Sequence, residues 1–146
     1  MRLLASTDFA LRVLMRLAAA PDEVLTVEQM ARELGDLSRH HLHKVVQDLA
    51  VLNLVRTSRG PRGGVMLATP PAQIRLGALL RALEAGQPLV ECFRADGGCC
   101  SLTAGCRLKS LLHAARESFF ATLERHTLAD CLTDGILRGF VPSARA

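Results

Sequence analysis

The chain has 146 residues, 49% of them hydrophobic and 3% aromatic, with a formal net charge of +4 and five cysteines. That length suits one domain or two very small ones, and no apolar run approaches the roughly 20 residues a transmembrane helix needs. Asp8, Arg12 and Arg16 interrupt every N-terminal stretch long enough for a secretory signal, so a cytoplasmic, reducing location is expected, where an odd set of cysteines points to metal or redox chemistry rather than to disulfides.

Leu and Ala dominate the apolar set and favour helix, so a mainly α fold is expected. Ser6 or Thr7 can cap a first helix that starts near Asp8 and runs to about Ala20, where Pro21 ends it. Thr26 caps a second helix with Val27, Met30, Ala31 and Leu34 on its inner face, and Gly35 follows as a stop. After a short turn, Ser38 can cap a third helix whose Leu42, Val45, Val46, Leu49 and Leu52 face inward. Two helices joined by a turn of a few residues, the second with a basic and polar face, is the helix-turn-helix pattern.

Leu54–Thr57 and Val65–Ala68 read as two short strands, and the turn between them carries Gly60, Gly63 and Gly64. This is a β-wing. Residues 1–70 are therefore expected to form a winged helix-turn-helix DNA-binding domain. Thr69, Pro70 and Pro71 punctuate the chain, and Ile74–Leu83 reads as a further helix. Pro88–Gly105 has no helical period and holds Cys92, Cys99 and Cys100, with Cys106 following directly. A long amphipathic helix runs from Leu108 to about His126. Its stripe of Leu108, Leu111, Leu112, Ala115, Phe119 and Leu123 suggests a partner helix, most simply from a second subunit. Thr127 caps one more helical turn, and the tail frays from Gly139. Residues 71–146 thus form a second unit of helix, cysteine-rich loop and dimerisation helix.

Charge is concentrated in one place. Arg39, Lys44, Arg56, Arg59 and Arg62, against the single acid Asp48, account for the whole net charge within one short stretch. A charge run is usually only a solvated face. Here it coincides with the third helix and the wing, which is the footprint of phosphate contact. Ser38, Arg39, His40, His41 and Lys44 stand at the start of the third helix, where side chains reach base edges in the major groove. Arg59 and Arg62 on the wing suit phosphates or a narrow minor groove. No nucleotide-binding glycine motif, acid pair or Ser/His/Asp set stands out, so an enzyme is not expected.

The cysteines lie at Cys92, Cys99, Cys100 and Cys106, with Cys131 apart. Cys92, Cys100 and Cys106 are spaced by eight and six residues on a loop rich in glycine. Such a loop can curl several thiolates around one centre, and both zinc and iron–sulfur clusters take thiolate ligands. By chemistry alone a cluster, zinc and free thiols remain open. Cys131 reads as a small core residue.

The chain resembles the NsrR/IscR family of winged-helix iron–sulfur repressors. The resemblance spans about Arg2 to Leu132 and rests on several segments: Ser6–Arg12, Ser38–Leu42 with Lys44, Arg59-Gly60 with Gly63-Gly64, Ile74–Gly77, Val90–Phe93, Cys100 with Cys106–Lys109, and Thr127–Asp130. The last two are similar to the NsrR branch, which senses nitric oxide. The histidine ligand of the IscR branch is replaced here by Lys109. The resemblance implies a homodimeric repressor with Cys92, Cys100 and Cys106 as iron ligands and Asp8 of the partner subunit as the fourth. It further implies that cluster nitrosylation releases operator DNA. The implied cofactor is a 4Fe–4S cluster, with 2Fe–2S as the alternative. A redox-sensing 2Fe–2S regulator of the same fold and a zinc or thiol protein without a cluster are the rival readings. The segment between the first two ligands is longer here than is usual in the family, which leaves Cys99 in competition with Cys100.

Overall fold

The computed structural model describes residues 2–35, 37–60, 63–102 and 104–140, apart from the side chains of Arg138 and Phe140. Helix α1 spans Ala5–Ala19, α2 Val27–Glu33 and α3 Arg39–Val51. Two antiparallel strands follow, β1 (Val55–Ser58) and β2 (Gly64–Leu67), in the register Val55 to Leu67. Then come α4 (Leu76–Leu83), α5 (Arg107–Glu124) and α6 (Asp134–Phe140), with short 3₁₀ turns at Pro71–Gln73, Glu91–Phe93 and Ala129–Cys131. The expected winged helix-turn-helix and long helix are both present.

Local chemistry explains most of the boundaries. Thr26 and Gln29 form a reciprocal capping box at the start of α2, which satisfies two backbone donors that helix geometry leaves over. Gly35 then takes a φ of +96°, where a side chain would be strained. Thr127 N–H donates to the Asp130 carboxylate at 2.7 Å and fixes the turn after α5.

Four expectations need correction. Helix α1 begins at Ala5 without a local side-chain cap; Thr7 is buried and donates to the distant Glu84 instead. Ser38 holds the cap position of α3 but makes no cap hydrogen bond through its side chain. Leu52, expected to face inward, is exposed, because α3 ends at Val51 and the chain turns away. A helix, α6, continues through Gly139 and contacts α1; the rest of the tail, 141–146, lies outside the described residues.

One apolar core joins α1, α2, α3 and the wing through residues such as Val13, Leu14, Leu17, Met30, Leu42, Leu49, Val55 and Val65. It continues past residue 70 into Ile74, Leu76, Leu79 and Leu128. Arg16 of α1 is buried among these residues and pairs with Glu33 of α2 and with Glu23. The backbone links the segments as well: Leu76 N–H donates to His126 C=O, and Leu128 N–H to Ile74 C=O. Helix α5 packs along α4 through its C-terminal half. Gly77 of α4 makes this approach possible, since a Cβ there would stand 2.5 Å from the Phe120 carbonyl oxygen. Arg81 reinforces the contact, reaching Glu117 at 2.9 Å and lying 4.5 Å from the Phe120 ring centroid. Only Phe120 of α5 is fully buried, while Leu108 and Leu111 are 62% and 56% exposed.

Candidate nucleic-acid interface and cysteine loop

Helix α3 buries Leu42, Val45, Val46 and Leu49, and this inner stripe forces its other residues outward. Ser38, Arg39, His40, His41 and Lys44 are all exposed. His40, Lys44, Gln47 and Val51 recur at helical spacing and share one open face. The first turn contains no acid, so no carboxylate of that turn opposes an approaching phosphate. His41 is turned towards α1, its ring centroid 6.5 Å from that of Phe9. His43, which the sequence reading did not place at the interface, lines a groove of about 300 Å³ with Thr26, Val46, Thr57 and Gly64. Its signal in the sequence was position alone, four residues after Arg39 on one helical face.

The wing is held close to the helices. Leu25 and Val65 exchange backbone hydrogen bonds at 3.0 and 2.8 Å. Gly64 permits that contact: a Cβ there would lie 2.7 Å from the Leu25 carbonyl oxygen. At the tip, Gly60 has a φ of +106° and its carbonyl accepts from Gly63 N–H. Arg56 and Arg59 are exposed beside this turn. Arg62 lies outside the described residues.

The cysteine loop closes on itself. Glu91 accepts the Cys99 N–H at 3.0 Å through its carboxylate, and Gly98 is so near that a Cβ would stand 2.6 Å from the Glu91 carbonyl oxygen. Cys92 and Cys100 each follow one of the residues that make this contact, so the closure draws together the two chain segments that carry them. The intervening residues form a turn of their own. Arg94 grips Asp96 with two hydrogen bonds of 3.0 and 2.7 Å, and Gly97 N–H returns to the Arg94 carbonyl. The Arg94 guanidinium, helped by the Gly98 N–H, holds the Asp96 carboxyl below its ordinary value. Cys106 is the N-cap residue of the 18-residue α5, where the helix dipole favours an anion. Phe93 meets His113 of α5 edge-on at 6.1 Å, which fastens the loop to that helix.

Cys92, Cys100 and Cys106 are partly buried and Cys99 is exposed; all four are free thiols. In donor chemistry the three part-buried thiols suit a thiolate-bound metal or cluster. Within one chain they are not gathered: among the described residues, no group of three Cys, His, Asp or Glu side chains closes on one centre. Asp8 is ion-paired with Arg12 at 2.7 Å, one helical turn along α1. Cys131 is packed against the core, and burial, followed by the nearby Asp130, pushes its thiol above the ordinary value. Among the described residues no helix is long and apolar enough to cross a membrane.

Glu84 is a residue that sequence reasoning missed. It is buried at the end of α4, and its carboxylate accepts both the Thr7 hydroxyl and the Leu4 N–H. A lone glutamate ending an apolar helix looks like any solvated terminal acid, so the sequence carries no signal for this role.

Comparison with known proteins supplies an independent line. The profile of Rrf2, described as an iron-dependent transcriptional regulator, matches residues 3–134. The HTH-type transcriptional regulator NsrR of Geobacillus kaustophilus is 44% identical over 134 residues, covering 92% of this chain and 91% of the relative. That of Halalkalibacterium halodurans is 38% identical over 134 residues, covering 92% of each chain. Among solved structures, T. potens IscR superposes with a TM-score of 0.72 at 24% identity, covering 92% of this chain and 88% of that one. CymR, the global cysteine regulator of B. subtilis, gives 0.70 at 24% identity, covering 90% and 95%. These two structures share the fold.

Proposed function

The chain belongs to the Rrf2 family of transcriptional regulators, a class of non-enzymatic proteins, and on that premise we propose that it is a homodimeric DNA-binding repressor that senses nitric oxide through an iron–sulfur cluster. Residues 1–70 would bind the operator, and residues 71–146 would carry the sensing loop and the dimerisation helix. Arg39, His40, Lys44 and Gln47 read or position the major groove, with Ser38 and His41 at the flank and Arg59 and Arg62 on the wing holding the backbone. Support comes from the acid-free exposed first turn of α3 and the tightly seated wing. The exposed Leu108 and Leu111 of α5 favour a second subunit, since burying them gives a two-fold dimer its apolar contact.

The observation that carries the sensing role is the closure of the cysteine loop through Glu91, which brings the Cys92 and Cys100 segments side by side. Cys92, Cys100 and Cys106 would hold the cluster, and Asp8 of the partner subunit would complete the set. When bound, the cluster supplies iron that nitric oxide attacks. Asp8, which pairs with Arg12 in the single chain, would give its carboxylate to the cluster, with Arg12 as its alternative partner. Asp8 sits on α1, and α1 packs on α3. Its capture or release therefore bears on the spacing of the two recognition helices, and a dimeric operator demands a fixed spacing.

The test uses anaerobically purified protein. Iron and sulfide content, absorption and Mössbauer spectra should report a cluster, 4Fe–4S by this reading. A gel-shift titration should show operator affinity falling on cluster loss or on exposure to nitric oxide. A colourless protein with stoichiometric zinc, or an affinity unmoved by either treatment, overturns the reading.

A further inference from the structure

We propose that Glu84 is a positioning residue that joins the cysteine loop to the first turn of α1, so that the state of the loop is transmitted towards the recognition helix. The proposal takes from the preceding section only that the loop is the sensing element.

Helix α1 has no local cap: Leu4 holds the cap position and no nearby side chain accepts its backbone N–H. Glu84 does so from 80 residues away, at 3.0 Å, and also takes the Thr7 hydroxyl. An anion at the positive end of a 15-residue helix is favoured by the helix dipole, which accounts for a buried carboxylate with no cation in ion-pair reach among the described residues. Its other attachment is to the turn that precedes the loop. Glu84 C=O accepts the Gln87 N–H at 3.1 Å, and Pro88 begins the segment that reaches Cys92.

Thr7 and Glu84 are both buried, with open space beside them. A cleft of about 280 Å³ lined by Arg2, Gln87, Arg116 and Phe120 lies on one side. Another of about 540 Å³, bounded by Phe9, His41, Lys44 and Leu83, lies on the other. Made largely out of water, the two hydrogen bonds hold the α4 end to the α1 start. Helix α1 itself packs on α3, with Phe9 against His41, so a shift at the joint reaches the recognition helix through α1. Thr7 is also the neighbour of Asp8, which the joint therefore orients.

The test reads backbone amide exchange by mass spectrometry on the reduced full chain carrying Cys131→Ala, before and after alkylating the loop thiols with iodoacetamide. Alkylation should speed exchange in peptides covering residues 3–9 by about tenfold or more. Thr7→Ser, which keeps the hydroxyl, should behave in the same way. Thr7→Val, which has the same shape without the hydroxyl, should exchange fast from the outset and show no further response. If alkylation leaves residues 3–9 unmoved in the parent chain, or if Thr7→Val responds as the parent does, the proposal is wrong. The parent response decides the matter even where a variant fails to fold. No metal is needed, so a protein that proved to lack iron would sink the proposed function and leave this result standing.

Discussion

Replacing Gly77 with alanine sets two effects against each other, and their sizes predict the sign. In an ordinary helix interior the change stabilises by about 0.5–1 kcal/mol, because glycine loses more backbone freedom on folding. At this position the new methyl group would stand 2.5 Å from the Phe120 carbonyl oxygen and 2.7 Å from the Glu124 backbone nitrogen. The Glu124 carboxylate, at 2.6 Å, can swing aside, but the other two atoms belong to the rigid spine of α5. Restoring ordinary contact requires α5 to retreat by about 1 Å at this point. Such overpacking costs about 1–3 kcal/mol, so the cost outweighs the gain by up to about 2.5 kcal/mol, seen as a fall of up to roughly 8 °C in Tm. Circular-dichroism melts of Gly77→Ala and Gly135→Ala provide the comparison. Gly135 lies in α6, and the nearest atom to its added Cβ is the Thr133 hydroxyl oxygen at 3.9 Å, so that substitution should be neutral or mildly stabilising. If Gly77→Ala melts at or above Gly135→Ala, close approach of α4 and α5 is not what that glycine provides.

Three further expectations bear on the site. Lys44→Ala should weaken operator binding across all sequences and lower the salt dependence of log Kd by roughly one unit, as measured by fluorescence anisotropy at several salt concentrations; an unchanged slope removes Lys44 from the phosphate contacts. Cys92→Ala should abolish iron retention while Cys131→Ala leaves it intact, judged by metal content after anaerobic purification, and the reverse pattern would refute the ligand assignment. The Thr127 N–H holds the Asp130 carboxyl below its ordinary value. Asp130 therefore contributes stability that is present above the ordinary carboxylate range and is lost as pH falls through its depressed value. Melting temperatures of the parent and Asp130→Asn should differ near neutral pH and converge in acid; a gap that persists in acid would mean that the carboxylate charge is not responsible.

What could be read from the sequence follows the range of the interactions involved. The Thr26 cap of α2, the turn at Gly35, the inward stripe of α3 up to Leu49 and the glycine-rich wing all depend on residues a few positions apart, and each showed in the pattern. The start of α1 depends on Glu84, which lies 77 residues from Thr7, and the local candidates Ser6 and Thr7 were misleading for that reason. Helix α6 was missed because a short segment with glycines at 135 and 139 has weak intrinsic propensity and is held by contact with α1. At the cysteine loop the family resemblance implied a set of three thiols, but nothing local in the sequence marked the Glu91 contact that draws two of their segments together. The face of α3 was legible as a basic stretch; that His41 leans on Phe9 and His43 faces the wing required the packing.

The turn at Arg94–Gly97 stores length that the rest of the loop does not use. Its bonds are internal, from Arg94 to Asp96 and from Gly97 to Arg94, and the strap from Glu91 to Cys99 lies at its neck. Lengthening such a bypass is cheap, since doubling a flexible loop costs only about 0.6 kcal/mol in closure entropy. The segment can therefore grow or shrink over evolutionary time with Cys92 and Cys100 held in place at its base. It also offers a permissive point at which a small reporter could be spliced into the protein beside its thiols.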